Sequence, residues 1–367
     1  MSEASIRLDH VSKWYPGAST PAVEDLTMEM PAGQVTALVG PSGCGKTTIL
    51  KMINRIIEPT SGRIEVGGRD IQELHPHALR RGIGYVIQQV GLFPHRTVAE
   101  NIATVPKLLG WDRRRTRKRV DELVEMVGLE SEMYDRYPAE LSGGQQQRVG
   151  VARALAADPP VLLMDEPFAA VDPIVRVHLQ DELRSLQAQL QKTIVFVTHD
   201  IDEAIKLGDQ VAILDVGGAL RQYASPEEVL RGPANAFVKE FLGKERGLRR
   251  LSLIAVRDVP LENGPTVSSD AGPAEAREVM EREGVNWVAI VRNEELQGWV
   301  WESELEPGRK MGDLAARPFL VRVTADNTLR QALDAIVTSH NQVAVVYDGD
   351  RYAGMLTLNR ISENLVP

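Results

Sequence analysis

A chain of 367 residues exceeds the ~250 at which single hydrophobic cores stop growing, so one large unit and one smaller one are expected. Apolar residues at 43% and charged residues at 25% exclude a disordered or fibrous protein, and a net charge of −9 excludes a general attraction to nucleic acid. Cys44 is the only cysteine, no long apolar run occurs, and residues 1–5 lack a signal-peptide pattern, so a cytoplasmic location is expected, with any membrane span supplied by another chain.

From residue 6 to about 242, short apolar runs alternate with helical patterns, the order of an α/β domain with a largely parallel sheet. Residues 34–39, 83–87, 161–164, 193–197 and 210–214 read as strands. Between the first of these and a helix expected from near Lys46 lies Gly40-Pro41-Ser42-Gly43-Cys44-Gly45-Lys46-Thr47, followed by Thr48, which matches a phosphate-binding loop. Such a loop turns backbone N–H groups inward around phosphate oxygens, and the helix start adds partial positive charge. Lys46 is then expected on the β- and γ-phosphates and the Thr47 hydroxyl on Mg²⁺; the plainer alternative is a glycine-rich turn without a ligand. Cys44 is expected to carry an acidic thiol whose modification would block the nucleotide, with no catalytic part.

Further along, His75-Pro76-His77 offers too few ligands for a metal and reads as a loop. Val120, Leu123, Val124 and Val127 recur at helical spacing after Trp111, so that segment is expected to be a helix with one wet side. Its basic run, Arg113-Arg114-Arg115, Arg117, Lys118 and Arg119, reads as a solvated face rather than a lipid or partner contact. Leu141-Ser142-Gly143-Gly144-Gln145 opens another helix with a serine hydroxyl and a set of N–H groups. The apolar run at 161–164 ends in Asp165-Glu166, a costly arrangement unless the carboxylates serve a cation or a reaction. Asp165 is expected to hold Mg²⁺ and Glu166 to polarise an attacking water, with a plain helix cap as the alternative. The phosphate loop and these carboxylates alone mean only a P-loop nucleotide hydrolase.

Gly243-Lys244-Glu245-Arg246-Gly247 is polar and bounded by glycine, which places a domain boundary there: 1–245 and 246–367. Beyond it the chain repeats itself at a shift of 56 positions, Val267 falling on Val323, Asp270 on Asp326, Ala276 on Ala332 and Gly298 on Gly354. Each copy, at about 250–307 and 308–367, reads as a small α/β unit with an opening helix and two strands around a turn: Asn293-Glu294 in the first, Asp348-Gly349 in the second. Trp287, Trp299 and Trp301 read as packing rather than a cation–π cage for a quaternary ammonium.

Placed ahead of Asp165-Glu166, the segment Leu141 to Gln145 resembles the signature motif of the ATP-binding cassette (ABC) family, and residues 6–242 follow that family's order. Tyr15 sits where the family stacks an aromatic ring on adenine, with Trp14 as a substitute. Gln88 resembles the Q-loop glutamine that touches Mg²⁺ and senses the membrane partner. Asp172 ends a D-loop, His199 resembles the switch histidine on the γ-phosphate, and residues 94–128 look like the helical subdomain that faces the membrane subunit. One departure is Ala169-Ala170-Val171-Asp172, where the family commonly has Ser-Ala-Leu-Asp; it keeps Asp172 and bears on D-loop bonding between copies.

The resemblance implies a nucleotide-binding domain of the P-loop NTPase class with a helical subdomain, and a composite ATP site. In that site the phosphate loop of one copy and Ser142, Gly143, Gly144 and Gln145 of a second close on one ATP, so a homodimer is expected. It further implies catalytic parts for Glu166, His199, Lys46 and Gln88, and Mg²⁺ on Thr47, Gln88 and Asp165.

Ile83-Gly84-Tyr85-Val86-Ile87-Gln88-Gln89, Gly91-Leu92-Phe93-Pro94-His95 and Val105-Pro106-Lys107-Leu108-Leu109-Gly110-Trp111 look like the ATPase subunits of importers for glycine betaine, carnitine and choline, and the duplicated tail resembles a tandem CBS module. What this implies is an ATPase that energises osmoprotectant import through a membrane permease. A separate solute-binding protein feeds the permease, the ATPase sits at the cytoplasmic face of the membrane, and no nucleic acid is involved. Alternatives are an importer of another small solute such as an amino acid, an export ATPase, or an ABC ATPase acting on nucleic acid or the ribosome; the last group usually has two cassettes or a long coiled-coil insertion, neither seen in this sequence. CBS repeats often end in Gly, two apolar residues and Thr, then an Asp that holds a ribose. This chain has Gly298-Trp299-Val300-Trp301 with Glu304, and Gly354-Met355-Leu356-Thr357 with Arg360, so neither copy is complete. An adenine nucleotide at the tail is therefore weighed against a module that only dimerises or responds to ionic strength.

Overall fold

Continuous apolar runs in the first part of the chain become the centre of one sheet. In chain order the strands are β1 (Ile6–Lys13), β2 (Val23–Met30), β3 (Val35–Val39), β4 (Ser61–Val66), β5 (Arg69–Asp70), β6 (Ile83–Val86), β7 (Val161–Asp165), β8 (Thr193–Val197), β9 (Gln210–Asp215) and β10 (Ala219–Ala224). The main sheet has the order β10-β9-β3-β8-β7-β6, parallel except for the edge strand β10. Strands β3, β7 and β8 are buried at every position, as parallel strands covered on both faces must be. A second, antiparallel sheet has the order β2-β1-β4-β5, and its β2 buries Val23, Leu26, Met28 and Met30 while exposing the polar residues between. The computed structural model describes residues 4–88, 91–169, 171–349 and 351–363, so Gln89 and Ala170, both named above, lie outside the described residues. The chain divides into two compact units, Met1–Gly243 and Lys244–Pro367.

The helix expected after Trp111 runs Arg113–Met126, capped by Asp112, whose carboxylate accepts the Arg115 N–H at 2.8 Å. Val120, Leu123 and Val124 are buried on it, and Arg113, Arg114, Arg115, Arg117 and Lys118 are exposed. Arg119 departs from the solvated run: its guanidinium donates to the carbonyls of Leu155 at 3.1 Å and Ala156 at 3.4 Å, tying this helix to the end of the helix Gly143–Leu155. His75-Pro76-His77 is not a loop either. Pro76 opens the helix Pro76–Arg81 with His75 as N-cap, because proline in a first turn sacrifices no hydrogen bond and presets φ.

In the second unit the 56-residue repeat reappears as geometry. β11 (Thr266–Ser268), β12 (Trp287–Arg292) and β13 (Glu295–Trp301) form one three-stranded sheet, and β14 (Arg322–Thr324), β15 (Val343–Asp348) and β16 (Arg351–Thr357) form the other. A helix follows the first strand of each, Pro273–Glu283 and Leu329–Thr338. Thr266 pairs with Ala289 and Arg322 with Val345, and a bulge falls between Ile290 and Val291 in one copy and between Val346 and Tyr347 in the other. The opening strands β11 and β14 are not anticipated above; at three residues each they carry no readable period and exist through parallel pairing with their neighbours. Asn293 and Glu294 take left-handed φ of 51° and 64° in the first hairpin turn. In the second copy Asp348 still belongs to the strand, so the turn starts one residue later than expected, at Gly349 with φ 60°. Trp287, paired across the sheet with Trp301, packs edge to face on Trp299, and with Val345, Tyr347 and Met355 these rings join the two repeats.

Candidate functional site

The carboxyl ends of β3, β7 and β8, neighbours in the sheet, bring together residues far apart in the chain. β3 leads into the glycine-rich loop, which turns into the helix Lys46–Ile53. Gly45 stands at the N-cap with φ 95°, and a Cβ there would come within 2.4 Å of the Ala22 carbonyl oxygen, so the close approach admits glycine only. No side chain caps this helix, which leaves its first N–H groups to the loop's concave side. Lys46 folds back over the loop, its Nζ donating to the carbonyls of Gly40 at 2.7 Å and Pro41 at 3.0 Å and lying 3.5 Å from Cys44 Sγ. Cys44 itself is fully buried behind the loop.

β7 ends in Asp165, whose Oδ1 accepts the Thr47 hydroxyl at 2.9 Å. Burial raises the Asp165 carboxyl above the usual carboxylate range, while the Thr47 bond acts against that rise. The same buried surroundings, together with the Asp165 charge, push the neighbouring Tyr85 hydroxyl up to about 12. Among the described residues no Lys, Arg or His forms an ion pair with Asp165 within 4.0 Å. A carboxylate beside a hydroxyl at the mouth of a phosphate loop is a hard oxygen donor set that fits a small divalent cation such as Mg²⁺.

Glu166 follows with a left-handed φ of 46°, its N–H donating to the Val197 carbonyl at 3.0 Å. Gln88 Nε2 donates to Glu166 Oε2 at 2.8 Å, and His199 Nδ1 lies 3.6 Å from Glu166 Oε1. Ser42, Gly43, Gly45, Lys46, Thr47, Thr48, Gln88, Glu166 and His199 line one cleft of about 540 Å³, together with Ala22, a residue the sequence does not single out. Tyr15 stands at its side, half-exposed, with its hydroxyl 3.5 Å from Thr48 Oγ1.

Ser142, Gly143, Gly144, Gln145 and Asp172 do not line that cleft. Ser142 and Gln145 form a capping box: the serine oxygen accepts the Gln145 N–H at 3.3 Å and the glutamine oxygen accepts the Ser142 N–H at 2.8 Å. Asp172 caps the helix Pro173–Leu190 by accepting the Ile174 N–H at 2.9 Å. Gly144 lies so close to Val175 that a Cβ would meet its Cγ1 at 2.9 Å, which puts the signature glycines beside the start of that helix. In the tail, Glu304 is engaged by Arg317 and by the Trp301 N–H, while Arg360 pairs with Glu262 and Glu363.

A model of the ABC transporter family matches residues 23–169, and one of the CBS domain matches residues 311–366. The glycine betaine/carnitine/choline transport ATP-binding protein of Bacillus subtilis is 44% identical over 96% of this chain and 100% of its own length. The chain belongs to the ABC transporter family. The osmoprotectant import ATP-binding protein of Salmonella typhimurium is 43% identical to this ABC ATPase over 98% of this chain and 96% of its own. A dimeric ATP-binding cassette bound to ADP and Pi in a post-hydrolysis state matches at a TM-score of 0.55 and 33% identity, covering 60% of this chain and 98% of that one. Membership makes the chain an ATP-binding and ATP-hydrolysing subunit of a transporter. Among the described residues no helix is long and apolar enough to cross a membrane.

Proposed function

We propose that this ABC ATPase energises the import of a quaternary ammonium osmoprotectant such as glycine betaine, carnitine or choline. In this reading it sits at the cytoplasmic face of the membrane and a separate binding protein delivers the solute to the permease. The solute class is supported by the names of relatives that match along nearly the whole chain. The observation that carries the catalytic part is the convergence of Gln88 and His199 on Glu166 beside the phosphate loop.

Lys46 and the N–H groups of the loop 40–48, Pro41 excepted, hold the β- and γ-phosphates, and Tyr15 stacks on the adenine. Thr47, Asp165 and Gln88 hold Mg²⁺, which when bound offsets the charge on the phosphates. Glu166 takes the proton of the attacking water, and His199 steadies the γ-phosphate. Because Gln88 donates to the Glu166 carboxylate in this structure, the amide must turn away before that oxygen can serve the water. Ser142, Gly143, Gly144, Gln145 and Asp172 serve the ATP of the partner copy, so two copies complete two sites. Contacts from both copies to the γ-phosphate give ATP a preference for the closed pair that ADP lacks. The tail, on this reading, is regulatory. An adenine nucleotide there has less behind it, since Glu304 and Arg360, where other CBS repeats hold a ribose, are both engaged by side chains of this unit.

Glu166→Gln tests the catalytic assignment. The variant keeps the shape of the site, so it should bind ATP and pair in its presence, while hydrolysis falls by ~10²–10⁴-fold. Hydrolysis at the normal rate would overturn the assignment of the base.

A further inference from the structure

Glu203 is a carboxylate in the interior of the first unit, only 6% exposed, on the helix Ile201–Leu207. Nothing about capping requires it, because Asp200 already caps that helix by accepting the Asp202 N–H at 2.8 Å. Its partners lie elsewhere. One oxygen accepts the Thr198 hydroxyl at 2.5 Å, and the other accepts Gln180 Nε2 at 3.3 Å, from the helix Pro173–Leu190. Thr198, 1% exposed, is held from two further directions: its oxygen accepts the Asp200 N–H at 3.0 Å and its N–H donates to the Leu38 carbonyl at 3.2 Å, at the end of β3.

His199 is the residue between these fixed points. Its ring is exposed and makes no hydrogen bond among the described residues that would set its direction, so the turn beneath it does that work. The anchoring continues toward Asp172. Arg176, on the first turns of the helix Pro173–Leu190, donates to the Val171 carbonyl at 3.2 Å, and its charge acts on Glu203. The buried, hydrogen-bonded set Thr198, Glu203 and Gln180 thus joins the turn before His199 to the helix Pro173–Leu190.

We infer that Glu203 is a positioning residue for His199, locking Thr198 and the turn that presents the imidazole, and tying that turn through Gln180 to the helix that begins at Asp172. The inference rests on the role proposed above for His199.

The test is kcat and KM for ATP, measured on the intact chain with its permease, in Glu203→Ala, Glu203→Gln, Thr198→Val, Thr198→Ser and His199→Ala. Misplacing a reacting group costs up to ~10²-fold, so Glu203→Ala should lower kcat by ~10–100-fold with KM changed less than about threefold. Glu203→Gln keeps an amide oxygen for the Thr198 hydroxyl and should recover most of the loss, Gln180 turning its own amide to suit. Thr198→Val should fall like Glu203→Ala, and Thr198→Ser should recover. If His199→Ala abolishes hydrolysis while Glu203→Ala and Thr198→Val keep the wild-type kcat, the inference is overturned and the role of His199 stands. An unchanged rate in His199→Ala removes the reading on which the inference rests. Should Glu203→Ala not fold, the Thr198 pair decides alone, equal rates for valine and serine overturning the inference.

Discussion

Glu166, the base in the proposed mechanism, places its carboxylate on a backbone that an ordinary residue resists. Its φ of 46° lies in the left-handed region, where a residue with a Cβ costs ~1–2 kcal/mol. Glu166→Ala and Glu166→Gly both delete the carboxylate and its bond from Gln88, so both should lose hydrolysis; what separates them is the backbone alone. Glycine recovers the ~1–2 kcal/mol of strain but loses ~0.5–1 kcal/mol more chain entropy on folding, leaving at mid-range a net ~0.75 kcal/mol in its favour. For a unit spanning Met1–Gly243, at ~2–4 °C per kcal/mol, that is a Tm higher by about 1.5–3 °C. Nucleotide-free melts of the intact chain, following the transition of the first unit, read this difference. An alanine variant that melts at or above the glycine variant refutes the reasoning.

Gly45→Ala puts a Cβ 2.4 Å from the Ala22 oxygen at a φ of 95°, so the phosphate loop must shift, and ATP affinity should fall at least ~10-fold, about 1.4 kcal/mol; an unchanged Kd in equilibrium binding contradicts the loop assignment. Arg119→Ala removes the bonds to the Leu155 and Ala156 carbonyls and should destabilise the first unit by ~1–3 kcal/mol, whereas Lys118→Ala, on an exposed side chain, should change little; equal effects in thermal melts count against the anchoring. Burial is the main cause that holds the Glu203 carboxyl above its usual 4.5. A carboxyl whose folded pKa exceeds its unfolded one contributes stability that is complete below the unfolded value and lost as pH rises through the folded one. Glu203→Gln, neutral throughout, should therefore gain on the wild type in Tm as pH rises from about 4 to about 7, and a gap independent of pH contradicts this.

The parts of the fold legible in the sequence are those that local chemistry dictates. Continuous apolar runs such as Val35 to Val39 announce buried parallel strands, and glycine spacing before Lys46 announces a loop that must approach its neighbours closely. The strands β1, β2 and β4 are harder to see, because one polar face breaks up their apolar residues. Glu203 was invisible for a different reason. Nothing in the run Thr198 to Glu203 announces burial, which arises when the chain folds and brings Gln180, 23 residues earlier, beside it. Arg119 likewise sits inside a basic run whose other members are solvated, and only the end of the helix Gly143–Leu155 sets it apart.

Uptake of labelled glycine betaine, choline and carnitine in cells lacking this gene, complemented by the intact chain or by Lys46→Ala, tests the central claim most directly. The account predicts that uptake of at least one of the three is lost with the gene and restored by the intact chain but not by Lys46→Ala. Uptake of all three unchanged by the deletion, in cells with no second importer for them, would contradict osmoprotectant import.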